Sequence, residues 1–392
     1  MAATIIRPFA RYAVFAGVFA AGLLQFYLLA VVETSVTDFP FHLELVPAVV
    51  RGDAYLPHPL FHWLTYGLSL ALSVELAVAA TLLCACALLA AALVQHRALV
   101  EFVGDRWNAL LAAMALTIVT PIYVPMVNPH LYLGQLSPNV YHSPTYVLMK
   151  PLALIAFLLG AHIAVRPSGL LVAFGCGAAL ALSILAKPSF AMVFLPAIWI
   201  LFLGRLLWVK SDREGWLARG AVLVALTVVS AAILAPQALQ TFGEGSVGYG
   251  FNRGQKGSLV LDTPLRHWRT RTPSVAYSIA VALAFPAIVT LARWKQVLQS
   301  PRALLAWLMV LLGMLAYATL IDLIIPGVSN LGWSYMIGQA AVFLVAMEQL
   351  LQWRPARRVD RLAYGAAAVA LSLHVVFGVY YYWKVALGYG YP

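Results

Sequence analysis

Charge is scarce in this chain. Of 392 residues, 10% are charged and only 14 are acidic, against roughly a quarter charged in an average soluble domain. Cysteine is scarcer still: Cys84, Cys86 and Cys176 each sit inside an apolar run. That excludes a disulfide framework, and no Cys/His spacing fits a structural zinc site. The sequence has no Gly-rich phosphate loop, no serine nucleophile elbow, no CxxC pair and no His-Glu-x-x-His. Nor does it show an internal repeat of the kind that marks many transporters.

Hydrophobic residues make up 63% of the chain. They come in long runs joined by short connections, and a run of about 20 spans a bilayer as a helix that satisfies its own backbone. The reading is an all-α polytopic protein with one transmembrane domain, 1–392, and about eleven spans. These fall near 12–32, 73–95, 106–124, 143–163, 169–186, 190–209, 220–238, 274–292, 303–325, 333–351 and 362–383. Residues 59–72 read as a partly inserted or interfacial helix. The formal charge of +11 does not imply nucleic acid, because the basic residues lie between spans, where topology and anionic membrane lipids account for them.

Threading the spans from a cytoplasmic amino terminus puts sixteen of the 25 basic residues inside, as the positive-inside rule requires. The nine left outside are Arg51, Lys150, Lys187, Arg253, Lys256, Arg266, Arg269, Arg271 and Lys384. Inside connections are short. Outside lie three long ones, 33–72, 125–142 and 239–273, holding six of the nine histidines: His42, His58, His62, His130, His142 and His267. Such loops are where function concentrates. The excess of arginine over lysine is in keeping with a GC-rich bacterium, so the expected location is a bacterial inner (plasma) membrane with the active site on its non-cytoplasmic side.

The first outer loop carries the sharpest signal, Glu33-Thr-Ser-Val-Thr-Asp38-Phe-Pro-Phe-His42-Leu-Glu44. Pro40 suits the first turn of a helix. Phe39, Leu43, Val46 and Val50 then share one face, with His42, Glu44 and Arg51 elsewhere. This predicts a short amphipathic helix lying along the membrane surface, Asp38 at its start and His42 one turn on. Asp38 reads either as a helix cap or as a chemical group; the two roles are compatible.

Two lysines precede prolines, Lys150-Pro151 and Lys187-Pro188. Lys150 lies seven residues into its span, roughly 10 Å below the outer end at helical rise. Intramembrane cations face a cavity or a partner, or snorkel to the interface; Asp322 is a possible counter-ion. Five outer basic residues, Arg253, Lys256, Arg266, Arg269 and Arg271, share the last long loop against the topological trend. Phosphate binding and nonspecific contact with anionic headgroups both fit. The second loop mixes aromatic and hydrogen-bonding side chains, Asn139, Tyr141 and His142 among them. That mixture suits either a sugar or an interfacial aromatic belt. His58 and His62 have i, i+4 spacing, so a divalent cation is conceivable with Asp38 or His42, but no signature indicates one, and neither a metal nor a cofactor is expected.

A first span, an acidic residue on a juxtamembrane helix in the first outer loop, and many further spans resemble the GT-C glycosyltransferase superfamily. The resemblance covers the whole chain as architecture, and its motif is one carboxylate. Many members carry paired acidic residues there; this chain has Asp38-Phe39, with Glu33 and Glu44 at a distance. A large soluble carboxyl-terminal domain, found in some members, is not expected here. The resemblance implies transfer of a sugar from a polyprenyl-phosphate donor to a glycan, lipid or protein acceptor, with Asp38 as general base. The donor already carries a phosphate leaving group, so the enzyme must deprotonate a hydroxyl and stabilise charge on that phosphate. Direct displacement needs one base, so inversion is expected. His42 would orient Asp38 or bind acceptor. Glu44, His58, His62, Asn139, Tyr141 and His142 are further substrate-binding candidates, and Lys150, Lys187 and the Arg253–Arg271 cluster are candidates for the donor phosphate. The rival readings are a transporter or flippase of lipid-linked or anionic substrates, another membrane transferase (an acyltransferase or a glycan polymerase or ligase), and a noncatalytic scaffold.

Overall fold

A computed structural model describes residues 2–132, 134–208, 215–243, 259–322 and 330–388. The protein is a polytopic α-helical membrane protein. Its helices in chain order are α1 (Ala2–Ala30), α2 (Phe39–Arg51), α3 (Leu60–Leu72), α4 (Leu76–Val103), α5 (Arg106–Ile118), α6 (Pro144–Ile163), α7 (Leu170–Ala186), α8 (Ser189–Trp208) and α9 (Trp216–Phe242). A short α10 (Arg266–Arg269) precedes α11 (Val275–Ala292), α12 (Trp294–Gln299), α13 (Pro301–Thr319), α14 (Gly332–Gln352) and α15 (Arg358–Ala386). Among the described residues nine helices are long and apolar enough to cross a bilayer: α1, α4, α6, α8, α9, α11, α13, α14 and α15. The two remaining expected spans are the shorter α5 and α7. Helix α3 forms where an interfacial helix is expected; its 13 residues are too few to cross.

Helix α14 is the hub. Nearly every one of its side chains is buried, and it packs against α13, α11, α8, α4, α5 and α6. A helix apolar on all sides belongs inside such a bundle. Lipid-facing helices such as α9 and α15 keep large apolar side chains exposed, Val228, Leu239, Val369 and Val376 among them.

The span expected at 106–124 stops early, at Ile118. Pro121 and Pro125 cannot continue a helix, and the extended segment that follows is satisfied by its neighbours, as backbone at membrane depth must be. Thr120 N–H donates to the His374 carbonyl (3.2 Å) and Ile122 N–H to the Val281 carbonyl (3.1 Å). His374, buried on α15, bonds the Thr120 carbonyl through Nδ1. Its Nε2 accepts the Phe285 N–H at 3.4 Å. One imidazole thereby ties α15, α11 and the unwound segment together.

The span expected at 303–325 also ends early, at Thr319. The Leu/Ile run that follows is β2 (Leu320–Asp322), paired antiparallel with β1 (Leu259–Leu261), Leu259 opposite Asp322. Asp322 therefore lies beyond the helix rather than inside a span, and the loop 239–273 is hydrogen-bonded to the end of α13.

Candidate functional site

Helix α2 forms as its proline predicts: Pro40 stands in the first turn and the chain leaves through Gly52 in the left-handed conformation. Its buried face differs from the expected one. Phe39, His42, Leu45, Val46 and Ala48 point inward, while Glu44 is solvent-exposed. His42 thus belongs to the packed side, because the histidines of the following segment lie under it. His42 Nδ1 is 3.2 Å from His62 Nε2, and the His42 ring centroid is 6.3 Å from that of His58. All three are buried.

Asp38 is the residue before this helix, yet its carboxylate makes no capping hydrogen bond. What holds it is the backbone. Its N–H donates to the His142 carbonyl at 3.0 Å, and its carbonyl accepts the His42 N–H at 3.0 Å. The segment between α1 and α2 is therefore laced to the segment before α6 at the position of the acid. His142 in turn meets Tyr381 of α15 (Nδ1 to the hydroxyl, 3.1 Å) and the ring of Tyr132 (centroids 4.8 Å).

Lys187 completes the group. It sits between α7 and α8, where Pro188 breaks the helix into a hairpin. Its Nζ donates to Thr145 Oγ1 (3.2 Å) and lies 4.2 Å from the centroid of the Trp333 ring. It is buried, and it acts electrostatically on His42, His58 and His142. Asp38 acts in the opposite sense on His42 and His142. Burial is the dominant influence on the imidazoles. It holds His42 and His58 well below their usual range and pushes His142 down to about 4, with the Asp38 charge opposing it at His42 and His142. Neutral imidazoles, one carboxylate and one amine thus converge at one end of the bundle, contributed by the start of α2, the entry and start of α3, the segment before α6 and the α7–α8 turn, with Thr145 of α6, Trp333 of α14 and Tyr381 of α15 beside them.

The other expected residues divide. Lys150 bonds Asn139 Oδ1, so an amide partners it. Asn139 Nδ2 donates to the carbonyls of Leu116 (3.0 Å) and Val119 (2.7 Å) at the end of α5. The Tyr141 hydroxyl donates to the Thr117 carbonyl at 3.0 Å. These three side chains tie loop two to α5. His130 is exposed. In the last loop Arg266 faces Asp262 at 3.5 Å with most of its side chain in solvent. Arg269 is exposed, and Arg271 acts on His267 and Tyr317. Trp268, buried between them, donates to the Gly134 carbonyl at 2.6 Å. Gly134 has φ +89°, and a Cβ there would stand 2.6 Å from the Arg271 carbonyl oxygen, so glycine is needed for this contact. Arg253 and Lys256 lie outside the described residues. Among the described residues no group of three His, Cys, Asp or Glu is arranged to hold a metal ion.

No family model matches the chain, and no curated protein matches it. Among solved structures, the archaeal oligosaccharyltransferase AglB from Archaeoglobus fulgidus, in complex with an inhibitory peptide and a dolichol-phosphate, superposes with a TM-score of 0.44 at 12% sequence identity. The match covers 98% of this chain and 57% of that one. The chain thus spans little more than half the length of that protein.

Sequence reasoning missed Thr145, Trp333 and Tyr381 as parts of the site. Trp333 and Tyr381 stand at the ends of apolar helices, where an aromatic residue reads as part of the interfacial belt. Only their shared end of the bundle distinguishes them.

Two apolar grooves flank this end. One of about 300 Å³ runs between α1, α4, α5 and α15, with Leu24, Leu88, Ile118, Val379 and Tyr382 on its walls. Another of about 320 Å³ lies behind Pro57 and Pro59, against Trp63, Leu185 and Gln237.

Proposed function

We propose that the protein is a GT-C-type membrane glycosyltransferase that moves a sugar from a polyprenyl-phosphate donor to an acceptor hydroxyl on the non-cytoplasmic side of the membrane, with inversion. The observation that carries this reading is the placement of Asp38. Its carboxylate is not used as a cap, its backbone is held from both sides, and its charge acts on the same histidines as the buried Lys187.

In this reading Asp38 takes the proton of the acceptor hydroxyl as the oxygen attacks the anomeric carbon. The bond from that carbon to the donor phosphate breaks, and its electron pair leaves with the phosphate. Lys187 stabilises that developing charge; a cation in a water-poor site does so far better than one in bulk water. The prenyl chain would lie in an apolar groove beside the site. Clustering of the charges at one end of the bundle favours transfer at an interface over transport through the midplane.

The test is sugar transfer by purified protein in detergent, using a panel of polyprenyl-phosphate sugars and comparing wild type with Asp38→Asn. The expected result is transfer by wild type and at least a hundredfold loss in the variant, on the scale of a general-base contribution of about 10²–10⁴. Elution of the variant as one peak with a wild-type melt separates lost chemistry from lost folding. Full activity in Asp38→Asn would refute the base assignment.

A further inference from the structure

Strand β1 exposes apolar side chains on both of its faces. Successive residues of a strand alternate between the two faces, yet Leu259, Val260 and Leu261 are 49%, 43% and 79% exposed. The bundle therefore seals neither face. Water disfavours a contiguous apolar surface of this kind, and such patches mark contact with a partner or a membrane.

The position of β1 decides for the membrane. The strand is fastened to the last turn of a span: Asp262 N–H donates to the Thr319 carbonyl at 2.9 Å, and Leu265 N–H to the Ala318 carbonyl at 2.7 Å. On α13, Leu311, Leu315 and Thr319 recur at a spacing of four and share one stripe. Leu311 and Leu315 are exposed on a helix of spanning length and apolar composition, so this stripe meets lipid. Strand β1 is thus attached where a lipid-facing stripe ends. Among the described residues it pairs only with β2. Its other edge keeps backbone groups that hydrocarbon cannot satisfy, which sets its depth at the interface rather than in the bilayer core.

The charge beside it has the sign that anionic headgroups require. Arg266, Arg269 and Arg271 fall within six residues, against one neighbouring acid, Asp262, at 3.5 Å from Arg266. Arg266 and Arg269 are exposed and Arg271 is half-buried. The short helix α10 that carries the first two is pinned from below. Trp268 is buried against Tyr317 and Tyr335 (ring centroids 5.0 and 5.8 Å) and donates to the Gly134 carbonyl. The arginines are therefore held next to the apolar strand.

We infer that β1 and α10 form a docking surface for anionic phospholipid, in the leaflet at the end of the bundle where Asp38 lies. Leu259, Val260 and Leu261 meet the acyl chains just below the headgroups. Arg266 and Arg269 take the phosphates, which a guanidinium fork matches, and Arg271 adds charge from behind. Trp268 packs on Tyr335, two residues from the Trp333 that covers Lys187, which places this surface at that end. The inference does not depend on the transferase reading.

The test reads lipid contact at one residue. Leu261→Cys is made in the full chain together with Cys86→Ala, since Cys86 is the exposed native thiol and Cys84 and Cys176 are buried. The new thiol carries a fluorophore, and the protein is placed in phosphatidylcholine bilayers. A trace of phosphatidylglycerol or phosphatidylcholine bears a nitroxide near the top of its acyl chain. The label should be quenched by nitroxide lipid and shielded from aqueous iodide. A label open to iodide and blind to nitroxide lipid would overturn the membrane contact and leave a water-facing partner surface. Nitroxide phosphatidylglycerol should be preferred over phosphatidylcholine by about fivefold for each arginine at low salt, and less as salt is added. Arg266→Gln with Arg269→Gln should bring the two lipids close to parity while the label stays shielded. Arg269→Gln alone leaves the Arg266–Asp262 pair intact and should lose about fivefold. Equal quenching with all arginines present, or full preference in the double variant, would overturn the headgroup assignment. So would displacement of the nitroxide phosphatidylglycerol by polyprenyl phosphate equimolar with protein, which would make the surface a donor site instead.

Discussion

Asn139 gives the most quantitative handle on this fold. Replacing it with leucine, similar in shape and without polar atoms, removes three hydrogen bonds at once. Two go from Nδ2 to the carbonyls of Leu116 and Val119, and one comes from the Lys150 amine to Oδ1. None of these partners has an evident substitute. The helical donor for the Leu116 carbonyl would be the Thr120 N–H, which instead bonds the His374 carbonyl at 3.2 Å. A buried polar group left unsatisfied costs about 1–3 kcal/mol. Three of them put the destabilisation of Asn139→Leu at about 3 kcal/mol or more. The assay is thermal unfolding of purified protein in detergent, followed by tryptophan fluorescence. Asn139→Leu should melt several degrees below wild type. Adding Lys150→Met removes the stranded amine, so the double variant should melt above Asn139→Leu, a coupling that a double-mutant cycle isolates. An unchanged melting temperature for Asn139→Leu, or strictly additive losses in the double variant, would refute the reasoning.

Three further outcomes are expected. Gly378→Ala should lower the melting temperature by an amount equivalent to at least about 1–3 kcal/mol of overpacking, because the new Cβ would run into the Ile118 carbonyl oxygen; a melt like wild type would show that α15 does not press on the end of α5. Arg302 bridges the buried Glu348 (3.3 Å) and Glu101 (3.6 Å). Arg302→Met strands a buried carboxylate and should cost about 3–5 kcal/mol, with Glu348→Gln in the same chain recovering part of the loss in the same melting assay. Acid should weaken the end of the bundle that holds the histidines. The folded pKa of His142 and His62 is about 4 against an ordinary 6.5, so the unfolded chain binds protons first. Stability is then full above about pH 6.5 and falls as pH drops toward 4. Wild type melted across that range should show this slope, and His142→Gln should show a shallower one.

The helical bundle was legible because apolar runs of membrane length leave the backbone no alternative, and the juxtamembrane helix because Asp38, Pro40 and its apolar spacing agree. Inward-facing His42 was not legible. Spacing alone pointed to Phe39, Leu43, Val46 and Val50, whereas the buried face is set by what lies beneath α2, including the rings of Phe61 and His62. The early ends of α5 and α13 were hidden for a similar reason. Local apolar character continues past both, and only the carbonyls of His374 and Val281, or the pairing of β2 with β1, makes non-helical backbone satisfied there. Lys150 was recognisable as needing a partner, but its identity depended on how loop two folds back, which brings in Asn139. Lys187 acts on the same histidines as Asp38 from a Lys-Pro turn, which is a local feature of the sequence, but that shared target was not legible.

The hydrogen bond from Asp38 N–H to the His142 carbonyl means that neither of these two loops can be inherited separately. A chimera taking only the first loop from another protein would import an acid aimed by a foreign neighbour, and one taking only the second would leave the acid without its rest. Directed evolution of this protein should therefore draw its libraries across 33–45 and 128–146 together, treating two stretches distant in the chain as one cassette.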